Sequence, residues 1–141
     1  HPEFRGHGSV NTAFQELVES YLYLSLTRSR VYLGPEDIAV SPSQYVLGLA
    51  DCVGELRRRI LNLIRAGRVS EAEDTLRLMD EIFTELNVNT DLQILIPRLR
   101  RKCDIARGLV EASRGDVTLE VRRSSLENLI RRMLELSSER G

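Results

Sequence analysis

Tryptophan is absent, and phenylalanine and tyrosine bring the aromatic share to only 5%. That thin supply argues against a sheet-rich core, which draws on aromatic and β-branched residues. It also leaves few rings on which nucleic-acid bases could stack. There are two cysteines, Cys52 and Cys103. Both sit in helical patterns among apolar neighbours, at a spacing that suits neither a disulfide framework nor a zinc motif. They read as buried thiols in a reducing compartment. No apolar run approaches the ~18 residues of a membrane span, and no signal peptide is visible, so the expected location is cytoplasmic. Charge of one sign is lacking too: the net charge is -1 although charged residues make up 29% of the chain. A surface for nucleic acid must then come from how the arginines are arranged, not from their number.

An initiator methionine is also missing. The chain begins His1-Pro2-Glu3-Phe4, which reads as a cleaved product or a chain lacking its natural start. Residues 1–8, closing Gly6-His7-Gly8, read as a loop. The rest is dominated by leucine, arginine and glutamate, good helix formers, in a length that suits one domain over 1–141. A first helix is predicted from about Val10 to Val31, with an apolar stripe of Val10, Ala13, Phe14, Leu17, Val18, Tyr21, Leu24 and Ser25, ended by Gly34-Pro35. A second opens on a capping box, Ser41 with Gln44, and Pro42 at its first position. It carries a seam of Leu49, Val53, Leu56, Ile60 and Leu63 and closes at Gly67. A third is predicted from the box of Ser70 with Glu73, bearing Ala72, Leu76, Met79, Ile82, Phe83 and Leu86, followed by a loop over 87–90. A fourth starts near Pro97, buries Leu99, Cys103, Ala106 and Leu109, and runs toward Arg123. Ser124 with Glu127 then opens a last helix with Leu126, Leu129, Ile130, Met133 and Leu134. With no strand alternation and short connections, the fold class is all-α, an antiparallel helical bundle.

Two acidic pairs stand out. Glu16 and Glu19 are three apart on the first helix, and Asp51 and Glu55 four apart on the second, so each pair shares a helix face. Glu16 and Glu19 are expected opposite the Phe14/Leu17/Val18/Tyr21 stripe. Two solvated faces would explain the pairs. Against that, Gly54 and Gly48 sit inside the same helix, where a glycine costs roughly 1 kcal/mol relative to alanine and permits close approach by a helix or ligand. If the helices pack side by side, four carboxylates could converge. With histidine only at His1 and His7, an all-oxygen set suits magnesium or manganese, ions that can assist phosphodiester cleavage.

Basic residues cluster at 57–59, at Arg98 with 100–102, at 122–123 and at 131–132. Solvated surfaces with local salt bridges are one reading. Phosphate contact is the other, with weak sequence preference because stacking rings are scarce. Arg58 is the first candidate, one turn from Glu55, followed by Arg100 and Arg101.

The segment Phe14-Gln15-Glu16-Leu17-Val18-Glu19 resembles the "LQEYVEA" segment of TRAX-like members of the translin family. Ser41 through Arg58 resembles their "TPVDYLLGVADLTGELMR", with Tyr45, Gly48, Ala50, Asp51 and the run Gly54-Glu55-Leu56 in register. The Ala66-Gly67 break and Asp116-Val117-Thr118 are also similar, so the likeness spans roughly Thr12 to Arg122. The chain departs at Cys52, where the family segment has leucine, and at Arg57, where it has methionine and where an added cation could touch phosphate. It lacks the long insertion that TRAX carries between the two motifs, as the compact prokaryotic branch does. Family members usually carry two more helices upstream, and the expectation is that these are missing from this chain, cleaved or not included.

That resemblance implies a translin-type bundle and a homo-oligomeric ring or barrel, hexamer to octamer, with nucleic acid inside. It implies that Glu16, Glu19, Asp51 and Glu55 are catalytic and bind Mg2+ or Mn2+, and that Arg58 matches a family arginine. The leading expectation is therefore a metal-dependent endoribonuclease subunit cleaving single-stranded RNA to 5′-phosphate and 3′-hydroxyl ends. The alternative is a non-catalytic translin-like ring that binds RNA or DNA. A helical scaffold whose seams serve only oligomerisation is the third.

Overall fold

A computed structural model describes residues 3–140, with side chains from residue 8 onward; His1 and Pro2 lie outside the described residues. Within them the chain is all-helical: α1 (Glu3–Ser29), α2 (Pro35–Ile38), α3 (Pro42–Arg65), α4 (Val69–Val88), α5 (Thr90–Leu95) and α6 (Leu99–Ser138). No helix among the described residues is long and apolar enough to cross a membrane.

The central element is α3, against which α1, α4 and α6 all pack. Its start is the one read from sequence. The Ser41 side chain accepts from the Gln44 backbone N–H at 3.3 Å, and the Ser41 N–H donates to Gln44 Oε1 at 3.0 Å. Its end is closed by Gly67 at φ 70, a left-handed conformation glycine adopts without a Cβ penalty. Val53, Leu56, Ile60 and Leu63 are buried as the seam predicts, and Leu49 is half-buried. Contact on several sides also buries Leu47, Ala50 and Cys52. From α4 come Ala72, Leu78, Met79, Ile82 and Leu86, and from α6 Leu99, Cys103, Ala106, Val110 and Val117. Leu76, Phe83 and Leu109, expected in the core, pack at its edge.

Several expectations need correction. Residues 3–8 belong to α1 and are not a loop. The buried stripe of α1 is Gln15, Val18, Leu22 and Leu26; Val10, Phe14, Leu17, Tyr21 and Leu24 are exposed. Both sets have helical spacing, so α1 carries two apolar ridges and periodicity alone could not say which one meets α3. Ser70 lies inside α4, whose N-cap is Arg68 without a side-chain cap; Arg68 instead reaches Glu71. The predicted 87–90 loop shrinks to Asn89 between α4 and α5. No break occurs at Ser124: α6 is one helix of 40 residues, and beyond Val121 most of it is exposed, Leu126, Leu129, Ile130, Met133 and Leu134 included. A capping box inside a helix-forming stretch has no chain end to cap, because propagation adds a hydrogen bond for each residue fixed.

Candidate functional site

The site exists because α1 and α3 come unusually close. A Cβ at Gly48 would lie 2.6 Å from Val18 Cγ1, 2.7 Å from Val18 Cβ and 3.2 Å from the Gln15 carbonyl oxygen. Only glycine admits that approach. Gly54 has no such reason, since nothing lies within 4 Å of a Cβ built there. On α1 each residue turns about 100°, which sets Glu19 beside the Val18/Leu22/Leu26 ridge. Glu19 is half-buried as a result, next to Val18 and one turn along from Gln15, the two residues that meet Gly48.

The four acids share one electrostatic neighbourhood with Glu19 at its centre. Burial pushes the Glu19 carboxyl above its ordinary range, and the charges of Asp51, Glu55 and Glu16 push it further, while Lys102 pulls it back. Glu16 and Glu19 form a ridge between two hollows of about 450 Å³ each. Asp51 lines the first with Arg98, Arg101 and Lys102. Glu55 lines the second with Ser20, Tyr23 and Leu24. Both α3 acids already face a cation. Lys102 Nζ donates to Asp51 Oδ1, and Arg58 Nη1 lies 3.3 Å from Glu55 Oε1. Cys52, buried between these charges, has its thiol pushed up to about 12, by desolvation first and then by Glu19 and Glu55. It stays protonated and supplies no nucleophile.

The donor set suits a hard divalent ion: carboxylates alone, whose mutual repulsion a cation would relieve. The side chains as they stand do not close around one. Among the described residues, no three histidine, cysteine, aspartate or glutamate side chains are placed to hold a single ion. An ion would need carboxylate rotation and a freed Asp51.

The basic residues divide sharply. Arg57 is not a free cation: its Nη2 donates to Asp116 Oδ2 at 2.6 Å and its Nη1 lies 3.4 Å from Ser113 Oγ, joining α3 to α6. Arg100 faces a different hollow, with Asn87, Gln93 and Asp104. Arg58 is exposed beside Glu55. Arg101 does line the acidic hollow, together with Arg98 and Lys102, which sequence reasoning noted only as cluster members. Spacing held the signal. Residues 98, 101, 102 and 105 share a helical face, and Arg100 points to the opposite one. Arg98 adopts φ 70, a left-handed conformation costing a non-glycine residue roughly 1–2 kcal/mol. Its Nη2 reaches Gln15 Oε1 at 3.4 Å, which carries the start of α6 to α1.

A family model, the Translin family, matches residues 7–112. An uncharacterized protein of Methanocaldococcus jannaschii is 34% identical over 140 residues, 98% of this chain and 62% of that protein. Among solved structures, AfC3PO in a complex with duplex RNA matches with a TM-score of 0.71 at 33% identity, over 80% of this chain and 59% of that one. A crystal structure of AfC3PO matches with a TM-score of 0.69 at 30% identity, over 86% of this chain and 67% of that one. The chain thus spans about three fifths of the length of the first two of these relatives.

Proposed function

The chain belongs to the translin family, and from that premise we propose that it is a TRAX-like, prokaryotic-type subunit of a homo-oligomeric ring that cleaves single-stranded RNA with a divalent ion. The observation that carries this reading is the juxtaposition of Glu16, Glu19 and Asp51 with the basic face of Arg98, Arg101 and Lys102 in one hollow, with Glu55 in the adjoining hollow and within the field felt by Glu19. Acids and phosphate-binding cations side by side are what a phosphodiester-cleaving site requires. That AfC3PO has been captured with RNA supports the polynucleotide as ligand. Two free, buried thiols agree with a cytoplasmic location.

Each residue then has a task. Arg101 and Arg98 bind backbone phosphate in the hollow, and Arg58 offers a contact at its rim. Arg57 stays with Asp116 and holds α3 to α6. Glu16, Glu19, Asp51 and Glu55 would hold Mg2+ or Mn2+. Such an ion supplies charge neutralisation at phosphorus and an activated water. Gly48 keeps α1 and α3 at the separation the acids need.

A non-catalytic RNA- or DNA-binding ring is the second reading, favoured by Lys102 on Asp51 and by the lack of three converging donors among the described residues. One assay separates the two. Labelled single-stranded RNA, with a duplex for comparison, is incubated with magnesium, with EDTA, and with Glu55→Ala protein. Cleavage that needs magnesium and is lost in the variant is expected. Cutting undiminished in Glu55→Ala overturns the site, and binding without any magnesium-dependent cutting selects the second reading.

A further inference from the structure

We propose that Lys102 is the resident counter-cation of the acidic hollow: it occupies Asp51 while the site is ion-free, and yields Asp51 to an incoming divalent ion, its released ammonium then serving phosphate in the same hollow. The inference rests on the metal reading of the site given above.

Three observations carry it. First, Lys102 crosses from α6 to bond Asp51, the one acid of the four that lines the hollow from α3. An ammonium on an Asp51 oxygen and a divalent ion on the same oxygen exclude each other, so the two cations compete for one carboxylate. Second, the pair is half-open, at 23% and 30% side-chain exposure. A flexible four-carbon stem with a compact charge can therefore move without unpacking the bundle. Third, Lys102 shares its helical face with Arg101 and follows Arg98, so displacement leaves it among cations already turned to the hollow. The second ion pair between these helices differs on each count: Arg57 is a planar fork with two partners, Asp116 and Ser113, outside the hollow. Because one side chain serves both sites, ion and phosphate binding are coupled, and the coupling is reciprocal.

Mn2+ binding to the full chain, read by the loss of the free-ion electron paramagnetic resonance signal, tests the exchange without reference to activity. Lys102→Met keeps the stem and removes the charge; Lys102→Gln is the second variant should the first fold poorly. Lys102→Arg retains the charge. We expect Lys102→Met to bind Mn2+ on the order of tenfold more tightly than wild type, within the usual span of coupling between sites, and Lys102→Arg to resemble wild type. A single-stranded oligodeoxynucleotide should bind wild type more tightly when Mn2+ is present, and this enhancement should vanish in Lys102→Met. Equal Mn2+ affinity in wild type and Lys102→Met overturns the exchange and leaves the metal reading standing. Absence of Mn2+ binding in both proteins overturns the metal reading and the exchange with it.

Discussion

The two ion pairs that tie α3 to α6 invite comparison, because they join the same two helices in different surroundings. Arg57–Asp116 is a closed clamp: the Arg57 side chain is 18% exposed, and its guanidinium bonds a carboxylate at 2.6 Å and has Ser113 as a second acceptor. Asp51–Lys102 is set in a field of three further carboxylates, beside a hollow and two more cations. Equal chemistry thus has different consequences. Where the partners satisfy each other, the pair fastens two helices. Where one partner stands among like charges, the pair is a balance that other cations can tip. The lesson is that an ion pair's role is read from the charges around it more than from its length.

The first way to break the contrast is to move the site end of α3 while leaving the clamp alone. Gly48→Val should destabilise the protein by about 1–3 kcal/mol, the usual result of forcing extra atoms into a packed contact, since the added Cβ meets Val18 at 2.6 Å and the Gln15 backbone at 3.2 Å. It should also weaken Mn2+ binding by parting α1 from α3. Urea denaturation gives the first quantity and ion titration the second. Gly54→Ala is the internal control, because its Cβ meets nothing. It should instead gain stability from helix propensity, by roughly 0.5–1 kcal/mol. A neutral Gly48→Val would mean that the helices are not held at this separation.

The clamp is sharpened by Asp116→Ala. Leaving the mostly buried Arg57 without its carboxylate should cost about 1–2 kcal/mol. The loss should be the same with and without Mn2+, because Asp116 lies outside the acidic neighbourhood. Lys102→Met should differ in kind: whatever stability it loses, Mn2+ should restore. If the ion rescues both variants equally, the two pairs are not distinct and the comparison fails.

How much of this the sequence disclosed depended on whether the signal was local. The capping box at Ser41 and Gln44, the glycine stop at Gly67 and the Val53–Leu63 seam are short-range, and all three stand in the structure. The fold class followed from them. The face of α1 that enters the core did not, because two apolar ridges compete and only the partner helix decides. The boxes at Ser70 and Ser124 failed for a related reason: a cap is a cap only where the chain turns, and α4 and α6 run through. At the site, the pairing of Glu16 and Glu19 with Asp51 and Glu55 was legible because Gly48 flags a close approach, and the acids do share one neighbourhood. The cations were less so. Arg57 and Arg100 look equivalent to Arg101 in a run of basic residues, and only their helical angles, applied across three helices, separate clamp, far face and hollow.

The smallest expected effect concerns Glu19 itself. Its carboxyl sits above the ordinary value of 4.5, burial being the larger cause and the neighbouring acids the next. The native state therefore holds this proton more tightly than the unfolded chain does. With more protons bound in the native than in the unfolded state, stability must fall as pH rises from about 4.5 toward the native value, and stay lower above it. The effect is modest because Glu19 is only half-buried and water screens part of the field. Glu19→Gln, which cannot ionise, should lose less stability than wild type between pH 4.5 and neutrality when urea midpoints are compared. Mn2+ at neutral pH should narrow the gap by stabilising the ionised form in the wild type only. Parallel pH curves for the two proteins would mean that Glu19 feels neither burial nor its three acidic neighbours, and the site end of α3 would then be no different in character from the clamp.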